Sequence, residues 1–571
     1  MGDGLGRWVP AVRAASAYKR SWLAKDLIAG LVLSTLLVPQ GMAYAELAGL
    51  PAITGLYTTV LCLLGYAVFG PSRVLVLGPD SSLGPMIAAV IVPIAGSGGD
   101  PGVAIALASM LGLLVGITMT IAGVAKLGFI SDLLSKPTRL GYMNGLAVTI
   151  LVGQLAKLCG FSTDADGLID EFTAFVRGVA HSEIVPAALA VGLFALALIL
   201  VLQRLLPKIP AILVAVVLSI AVTWAFQLGD RGVDLVGPLP QGLPPFTLPH
   251  ASWDQLWLLV VGALGITLVS LTDTISTASV FAARAGQQVH GNQEMIGIGA
   301  ANIAASFFQG FPVSTSGSRT AVAVQSGARS QLTGIVGAAL ILLMLLFFPG
   351  LLQDLPQPAL AAVVIAASLM LADLAGTAQL WRQRRTEFGV SMAAFLGVAL
   401  LGVLPGIAVA VTLSVLNVFR RVWWPYQTTL GRAAGVPGYH DVRVYPDAER
   451  LPGLVLFRFD APLIFANARV FRAEIERVAR EDPRVRWIVV AAEPITDIDT
   501  TASDMLAELD EALNARGVSL VFAEMKTPVQ QKIERYRLSP AIDRFSPTIE
   551  DAVAAYRAQH DVDWQPATDQ N

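Results

Sequence analysis

Charge is nearly absent from most of this chain. Of its 81 Lys, Arg, Asp and Glu residues, 39 lie in positions 441–571 and the other 42 serve the first 440. A soluble protein is about one quarter charged. The first 440 residues reach only about one tenth, so their surface must face lipid, whereas the tail, at about 30%, reads as an ordinary soluble domain. The split replaces the roughly three or four domains that such a length would otherwise imply.

The other bulk properties exclude classes. A net charge of -3 and a pI near 6.0 give no basic footprint for nucleic acid. The two cysteines, Cys62 and Cys159, lie far apart in or beside apolar segments and read as buried thiols, with neither a disulfide framework nor a metal site. The apolar run after residue 25 continues far beyond a signal core, so no cleavable leader is expected. No catalytic constellation appears, which leaves an enzyme the least supported class.

A span needs about 20 apolar residues. Fourteen candidates follow, near 26–45, 52–69, 76–95, 102–124, 137–158, 184–205, 208–227, 254–284, 292–310, 314–328, 331–352, 356–374, 385–403 and 404–420. Basic residues cluster before the first span (Arg7, Arg13, Lys19, Arg20, Lys25) and after even-numbered ones, as at Arg73, Lys126, Lys136, Arg204, Lys208, Arg284, Arg329, Arg382 and Arg420. Connections after odd spans are mostly acidic or bare, as at Asp100, Asp164, Asp166, Asp170, Asp230 and Asp234, with Lys157, Arg177 and Arg231 as scattered single exceptions. Positive residues stay inside, so both termini are expected in the cytoplasm.

Two spans are interrupted alike. The third opens with Gly78-Pro79-Asp80-Ser81-Ser82-Leu83-Gly84-Pro85 and the tenth with Pro312-Val313-Ser314-Thr315-Ser316-Gly317-Ser318-Arg319-Thr320. Irregular backbone at membrane depth is tolerated only where protein or a water-filled cavity surrounds it. Interruptions third of seven and third of the next seven point to an inverted-repeat transporter. Two half-helices would aim their N-termini at one midplane site, where free N–H groups favour an anion. The bland alternative is a pair of ordinary Gly/Pro kinks.

Few polar residues sit inside the spans. Arg319 is the basic residue placed deepest, and a guanidinium there marks a site or pairs a buried carboxylate. Asp273, followed one turn later by Thr277, suits a proton acceptor or an oxygen ligand for Na+, with a static pair to Arg319 as the rival reading. Gln40, after Pro39, can donate to an oxyanion without adding charge. Asp80 at the third span's cap could satisfy amides itself and compete with an anion; its role stays open on sequence.

Pro39-Gln40-Gly41-Met42-Ala43-Tyr44-Ala45, Leu47-Ala48-Gly49-Leu50-Pro51 and Gly55-Leu56-Tyr57 resemble the signature of the sulfate permease (SulP) family. So do Asn292-Gln293-Glu294 with Ala301-Asn302, and Gly317-Ser318-Arg319-Thr320 with Ser326-Gly327-Ala328-Arg329. The resemblance runs from about residue 22 to 555. It implies a polytopic α-helical membrane protein of fourteen spans in a seven-plus-seven inverted repeat, with uracil-permease-like core and gate domains. It also implies a cytoplasmic α/β STAS domain, a homodimer, and elevator-like transport. By position, Gln40, Tyr44, Ser318 and Arg319 match the anion site, to which the half-helix reading adds the amides near Ser81, and Asp273 with Thr277 resembles the cation-coupling position of sodium-coupled bicarbonate members. The charged cap at Asp80 departs from the uncharged cap of many members and leaves the substrate open.

The tail alternates strands (454–459, 487–492, 518–522) with helices (467–479, 501–515, 528–536), with Asn467 as an expected N-cap. Asp497-Ile498-Asp499 forms an acidic turn before a helix. The resemblance makes Thr500 a candidate regulatory phosphosite, with a purely structural cap as the alternative. The expected organisation is an N-terminal segment 1–25, a transport domain 26–421, a linker 422–440, a STAS domain 441–560 and a tail 561–571. The expected function is secondary active transport of a small inorganic oxyanion, sulfate first, in a cell membrane of bacterial inner-membrane type. Coupling is to H+ or Na+, and no cofactor or resident metal is expected. Bicarbonate or a C4-dicarboxylate, an uncoupled channel or exchanger, and a membrane-anchored receptor with STAS output are the alternatives. The expected partners are the anion, the bilayer, a second copy and cytoplasmic regulators at the tail.

Overall fold

The computed structural model describes residues 9–560 apart from 97–99, 129–133, 164, 166, 207–208, 285–287 and 537–543, together with 562 and 564. Arg7, Asp164, Asp166, Lys208, the side chain of Arg284 and most of the expected tail 561–571 lie outside the described residues. The chain forms two compact units, Met1–Ser414 and Val415–Asn571.

A helix stands at each of the fourteen expected spans. These are α1 (Leu23–Leu47), α2 (Ala52–Phe69), α3 (Gly84–Ala95), α4 (Pro101–Val124), α5 (Lys136–Leu158), α6 (Pro186–Leu205), α7 (Ala211–Phe226), α8 (Trp253–Arg284), α9 (Gly291–Ser306), α10 (Gly317–Gln325), α11 (Leu332–Phe347), α12 (Gln357–Leu371), α13 (Arg385–Leu401) and α14 (Val403–Trp423). Among the described residues, seven helices are long and apolar enough to cross a bilayer by length and composition alone. Two further helices, Leu168–Ala180 and Leu374–Gln383, lie in connections where sequence reasoning placed none. Both are amphipathic, so a search for apolar runs passes over them.

The helices pack in two groups. Helices α1 to α4 pack with α8 to α11, and α5 to α7 pack with α12 and α13, the groups meeting where α7 and α12 lie on α1. Close approach depends on small residues. At the contact of α1 and α2, a Cβ on Gly55 would lie 1.9 Å from the Gly41 carbonyl oxygen, so only glycine allows that approach. Asp26, fully buried at the start of α1, accepts from Arg329 N (2.7 Å), Ser330 N (3.2 Å) and Ser330 Oγ (2.7 Å) just before α11. It satisfies amides of the turn before α11 that would otherwise be left without a partner in an apolar setting.

The third and tenth helices are short, and each follows a two-residue strand. β1 (Leu77–Gly78) pairs antiparallel with β2 (Ser314–Thr315), Leu77 opposite Thr315 and Gly78 opposite Ser314. Antiparallel pairing is what two segments of opposite membrane orientation make. Asn302 on α9 holds β2 in place, its Oδ1 accepting from Val313 N at 2.9 Å. Thr315 Oγ1 donates to Thr274 Oγ1 on α8 at 3.1 Å.

In the second unit, a six-stranded sheet runs β4-β3-β5-β6-β7-β8, with β3 (Gln427–Arg432), β4 (Tyr439–Asp441), β5 (Leu454–Phe459), β6 (Trp487–Ala491), β7 (Ser519–Ala523) and β8 (Phe545–Ser546). The run β5 to β8 is parallel, and β3 pairs antiparallel with β4 and β5. Helices α15 (Ala468–Glu481), α16 (Thr500–Asn514), α17 (Thr527–Arg535) and α18 (Ile549–His560) complete it. Parallel strands are buried on both faces: Ile488 and Val490 enter one apolar cluster, while Trp487, Val489 and Ala491 enter another.

One expectation fails here, and one holds in position only. Residues 422–440 are not a linker, since β3 occupies 427–432 and pairs Gln427 with Phe459 through Leu430 with Leu456. Its six residues include Gly431 and precede a Gly/Pro-rich turn, so the pattern reads as coil until its partner strand is known. Asn467 stands at the N-cap position of α15, but its side chain makes no capping bond. Its side chain turns back, accepting from Ile464 N (3.0 Å) and donating to Pro462 O (2.9 Å) to fix the preceding loop.

Candidate functional site

The crossing of β1 and β2 puts the N-termini of α3 and α10 beside a cavity of about 710 Å³. Gln40, Tyr44, Ser81, Ser318, Asp273 and Thr277 all line it. Sequence reasoning brought these residues together from four helices, and the fold does the same.

Each is positioned by a local device. Pro39 sits inside α1 and removes one N–H from the helix ladder immediately before Gln40. Gln40 is 6% exposed, and its buried Oε1 finds no hydrogen-bond donor among the described residues. Ser318, in the first turn of α10, is exposed to the cavity and shares a hydrogen bond with Ser316 Oγ at 3.0 Å. Thr277 stands one turn beyond Asp273 on α8, and its Oγ1 would lie 3.9 Å from a Cβ on Gly317. The Asp273 carboxylate accepts from Ser82 Oγ at 3.4 Å. Its one-turn relation to Thr277 therefore faces the same space as the α10 N-terminus.

Arg319 does not reach the cavity wall. It is 1% exposed and lies behind the crossing, donating from Nη1 to Pro79 O (2.6 Å) and from Nη2 to Asp80 Oδ2 (3.1 Å). Its partner is thus Asp80 and not Asp273, which removes the static Asp273–Arg319 pair weighed on sequence. The strand β1 must stay bare to admit it, because a Cβ on Gly78 would sit 2.5 Å from Nη1.

Asp80 has a settled role. Its Oδ1 accepts from Ser82 N (3.0 Å) and Ser82 Oγ (2.8 Å), and its carbonyl accepts from Leu83 N and Gly84 N. It therefore sets a carboxylate of the chain itself in the turn before α3, whose N-cap Leu83 has no side-chain cap bond, and spends its other oxygen on Arg319.

One residue at the site was missed. Arg139, in the first turn of α5, lines the cavity and donates from Nη1 to Ser276 Oγ on α8 at 2.6 Å. An arginine at the edge of a predicted span looks like an orientation marker, and nothing in the sequence separates the two uses. Thr500 lies in the other unit, at the exposed first position of α16. Asp499 caps that helix, accepting from Ala502 N at 2.8 Å. Asp497, before it, pairs with Lys532, whose hydrogen bond holds the carboxyl below the usual range.

Similar proteins agree in extent and in kind. The profile of the sulfate permease family matches residues 23–394 and that of the STAS domain matches 445–552. A probable sulfate transporter of Mycobacterium tuberculosis is 40% identical over 553 residues, spanning 96% of this chain and 98% of its own. Sulfate transporter 1.3 of Arabidopsis thaliana is 30% identical over 570 residues, spanning 95% and 86%. In fold, the chain is similar to the murine Solute Carrier 26 family member A9 anion transporter in the inward-facing state, at TM-score 0.90 and 23% identity over 98% of this chain and 95% of that one. It also resembles the transmembrane domain of the cyanobacterium bicarbonate transporter BicA, at TM-score 0.60 and 24% identity over 69% and 98%.

Proposed function

The chain belongs to the sulfate permease family, and from that premise we propose that it is a secondary active transporter of a small inorganic oxyanion, with sulfate as the substrate. The relatives named above are transporters and not enzymes. The observation that carries the reading is the crossing itself: two helix N-termini, paired through β1 and β2, open on one polar cavity inside an apolar helix bundle. Helix N-termini supply N–H donors and a favourable field for an anion.

In the proposed cycle the oxyanion rests against the α10 N-terminus, met by Ser318, by Gln40 and Tyr44 from α1, and by Ser81. Arg319 acts from behind, neutralising Asp80 and fixing the crossing. Asp273 with Thr277 carries the coupling cation, H+ or Na+, close enough for its charge to favour co-binding. Movement of the first helix group past the second then alternates access, in the manner of an elevator. Assembly as a homodimer, cytoplasmic termini, and regulation through the STAS domain at or near Thr500 belong to the same proposal and rest on the family resemblance.

Uptake into proteoliposomes tests it. Labelled sulfate, bicarbonate and fumarate are offered under imposed proton and sodium gradients. Concentrative sulfate uptake under one gradient is expected. Preference for bicarbonate or fumarate would reassign the substrate, and uptake blind to both gradients would make the protein a channel or exchanger. Asp273→Asn should abolish gradient-driven uptake while leaving anion binding intact; normal gradient-driven uptake by that variant would remove Asp273 from coupling.

A further inference from the structure

The charge balance around the cavity points to a residue outside this scheme. We propose that Arg139 is the cation that binds the transported oxyanion, reaching it from the second helix group while the α10 N-terminus holds it from the first. The proposal rests on the anion-transport reading above and adds a specificity-determining residue to it.

Arg319 cannot fill that role directly. Its two terminal nitrogens are committed to the Pro79 carbonyl and the Asp80 carboxylate, and it lies behind the wall. Among the described residues lining the cavity, Arg139 is the one Lys, Arg or His, whereas three carboxylates are there, Asp273 and Asp373 as well as Asp80, which Arg319 already pairs. A site so lined would repel a dianion unless a free cation faced it.

Arg139 meets the requirement. It is half-buried, and its hydrogen bond goes to a neutral hydroxyl, Ser276 Oγ, with no carboxylate in salt-bridge reach among the described residues. Asp273 on α8 is within electrostatic reach but makes no direct ion pair with it, and a guanidinium so placed at membrane depth is costly, a cost lowered whenever an anion is present. The planar fork offers two parallel N–H donors to two oxygens of one oxyanion.

Position adds a consequence for transport. Arg139 stands on α5, which packs with α12 and α13, while Ser276 and the half-helices belong to the other group. An anion held by both groups is bound most tightly in the conformation that brings them together. Displacing one group carries Arg139 away, weakens binding and favours release. With the site empty, the Ser276 hydroxyl serves as the resting partner.

Equilibrium binding of labelled sulfate and labelled nitrate to the purified full-length chain tests this. For Arg139→Gln the sulfate Kd should rise roughly tenfold to hundredfold, as for loss of a charged hydrogen bond. Nitrate, with a single charge, should lose much less. Arg139→Lys should restore most of the sulfate affinity. Ser276→Ala, which removes only the resting partner, should bind sulfate as well as wild type or better.

Wild-type sulfate affinity in Arg139→Gln would overturn the proposal and leave the transport reading standing. A loss in Ser276→Ala as large as that in Arg139→Gln would make Arg139 a tie between α5 and α8 only. Should Arg139→Gln fail to fold, the Arg139→Lys and Ser276→Ala pair still decides between these. A wild-type protein that binds neither anion would instead overturn the transport reading and this proposal with it.

Discussion

The two half-helices occupy matching places in the repeat, yet the turns that lead into them differ in charge. At α3 the chain supplies its own anion: the Asp80 carboxylate accepts from Ser82 N and the Asp80 carbonyl from Leu83 N and Gly84 N. Neither N-cap, Leu83 nor Ser316, carries a side-chain cap bond, but at α10 no carboxylate precedes the helix, and Gly317 and Ser318 are exposed to the cavity. The inverted repeat thus provides two sites of anion attraction, and this sequence closes one of them. Arg319, which leads α10 in sequence, serves the closed end in space through its pair with Asp80. Symmetry of backbone does not imply symmetry of chemistry.

The largest expected effect comes from splitting that pair. Arg319→Ala leaves Asp80 at the cavity wall without its cation, and removing one partner of a buried pair costs about 3–5 kcal/mol. Adding Asp80→Asn should recover much of the loss, because no charge then remains uncompensated. Thermal unfolding in detergent of both single variants and the double variant checks this. Strictly additive losses would mean that the two residues are not coupled, and the closed end would need another explanation.

A somewhat smaller effect should follow from closing the open end as well. Ser318→Asp gives α10 a carboxylate like the one at α3, competing for the amides proposed to hold the anion. Sulfate affinity should fall roughly tenfold to hundredfold, the scale of a charge-assisted hydrogen bond. The matching change at α3, Ser81→Asp, adds a carboxylate beside one already present and should do less. Equal losses from both would erase the distinction between the ends.

Much of this arrangement was legible before the fold was known, for stated reasons. Spans reveal themselves because lipid forbids charge over about 20 residues, and the half-helices because Gly, Pro and Ser have no ordinary place at that depth. Gln40, Asp273, Thr277 and Ser318 stood out as polar residues in apolar runs. What stayed hidden was pairing. Nothing local says that Arg319 turns to Asp80, 239 positions earlier, and away from Asp273. Arg139 was hidden by its place at a span edge, where positive charge is expected anyway. β3 was hidden because six residues with a glycine have no strand signature until β5 lies alongside.

The smallest effect places the same carboxylate chemistry in water. Before α16, Asp497 pairs with Lys532 just as Asp80 pairs with Arg319, but both Asp497 and Lys532 are substantially exposed. The pair holds the Asp497 pKa below its ordinary value. A carboxyl whose folded pKa is depressed contributes stability above its unfolded pKa, near 4 for aspartate, and loses it as pH falls through the folded value. Exposed pairs are screened by solvent and salt, so the contribution should be slight and should shrink in high salt. Unfolding measured from pH 7 down to below 4 should show a small loss in the wild type that Asp497→Asn lacks. A loss as large as that from splitting Asp80 and Arg319 would show that burial is not what makes the membrane pair strong, and the contrast between the two settings would fail.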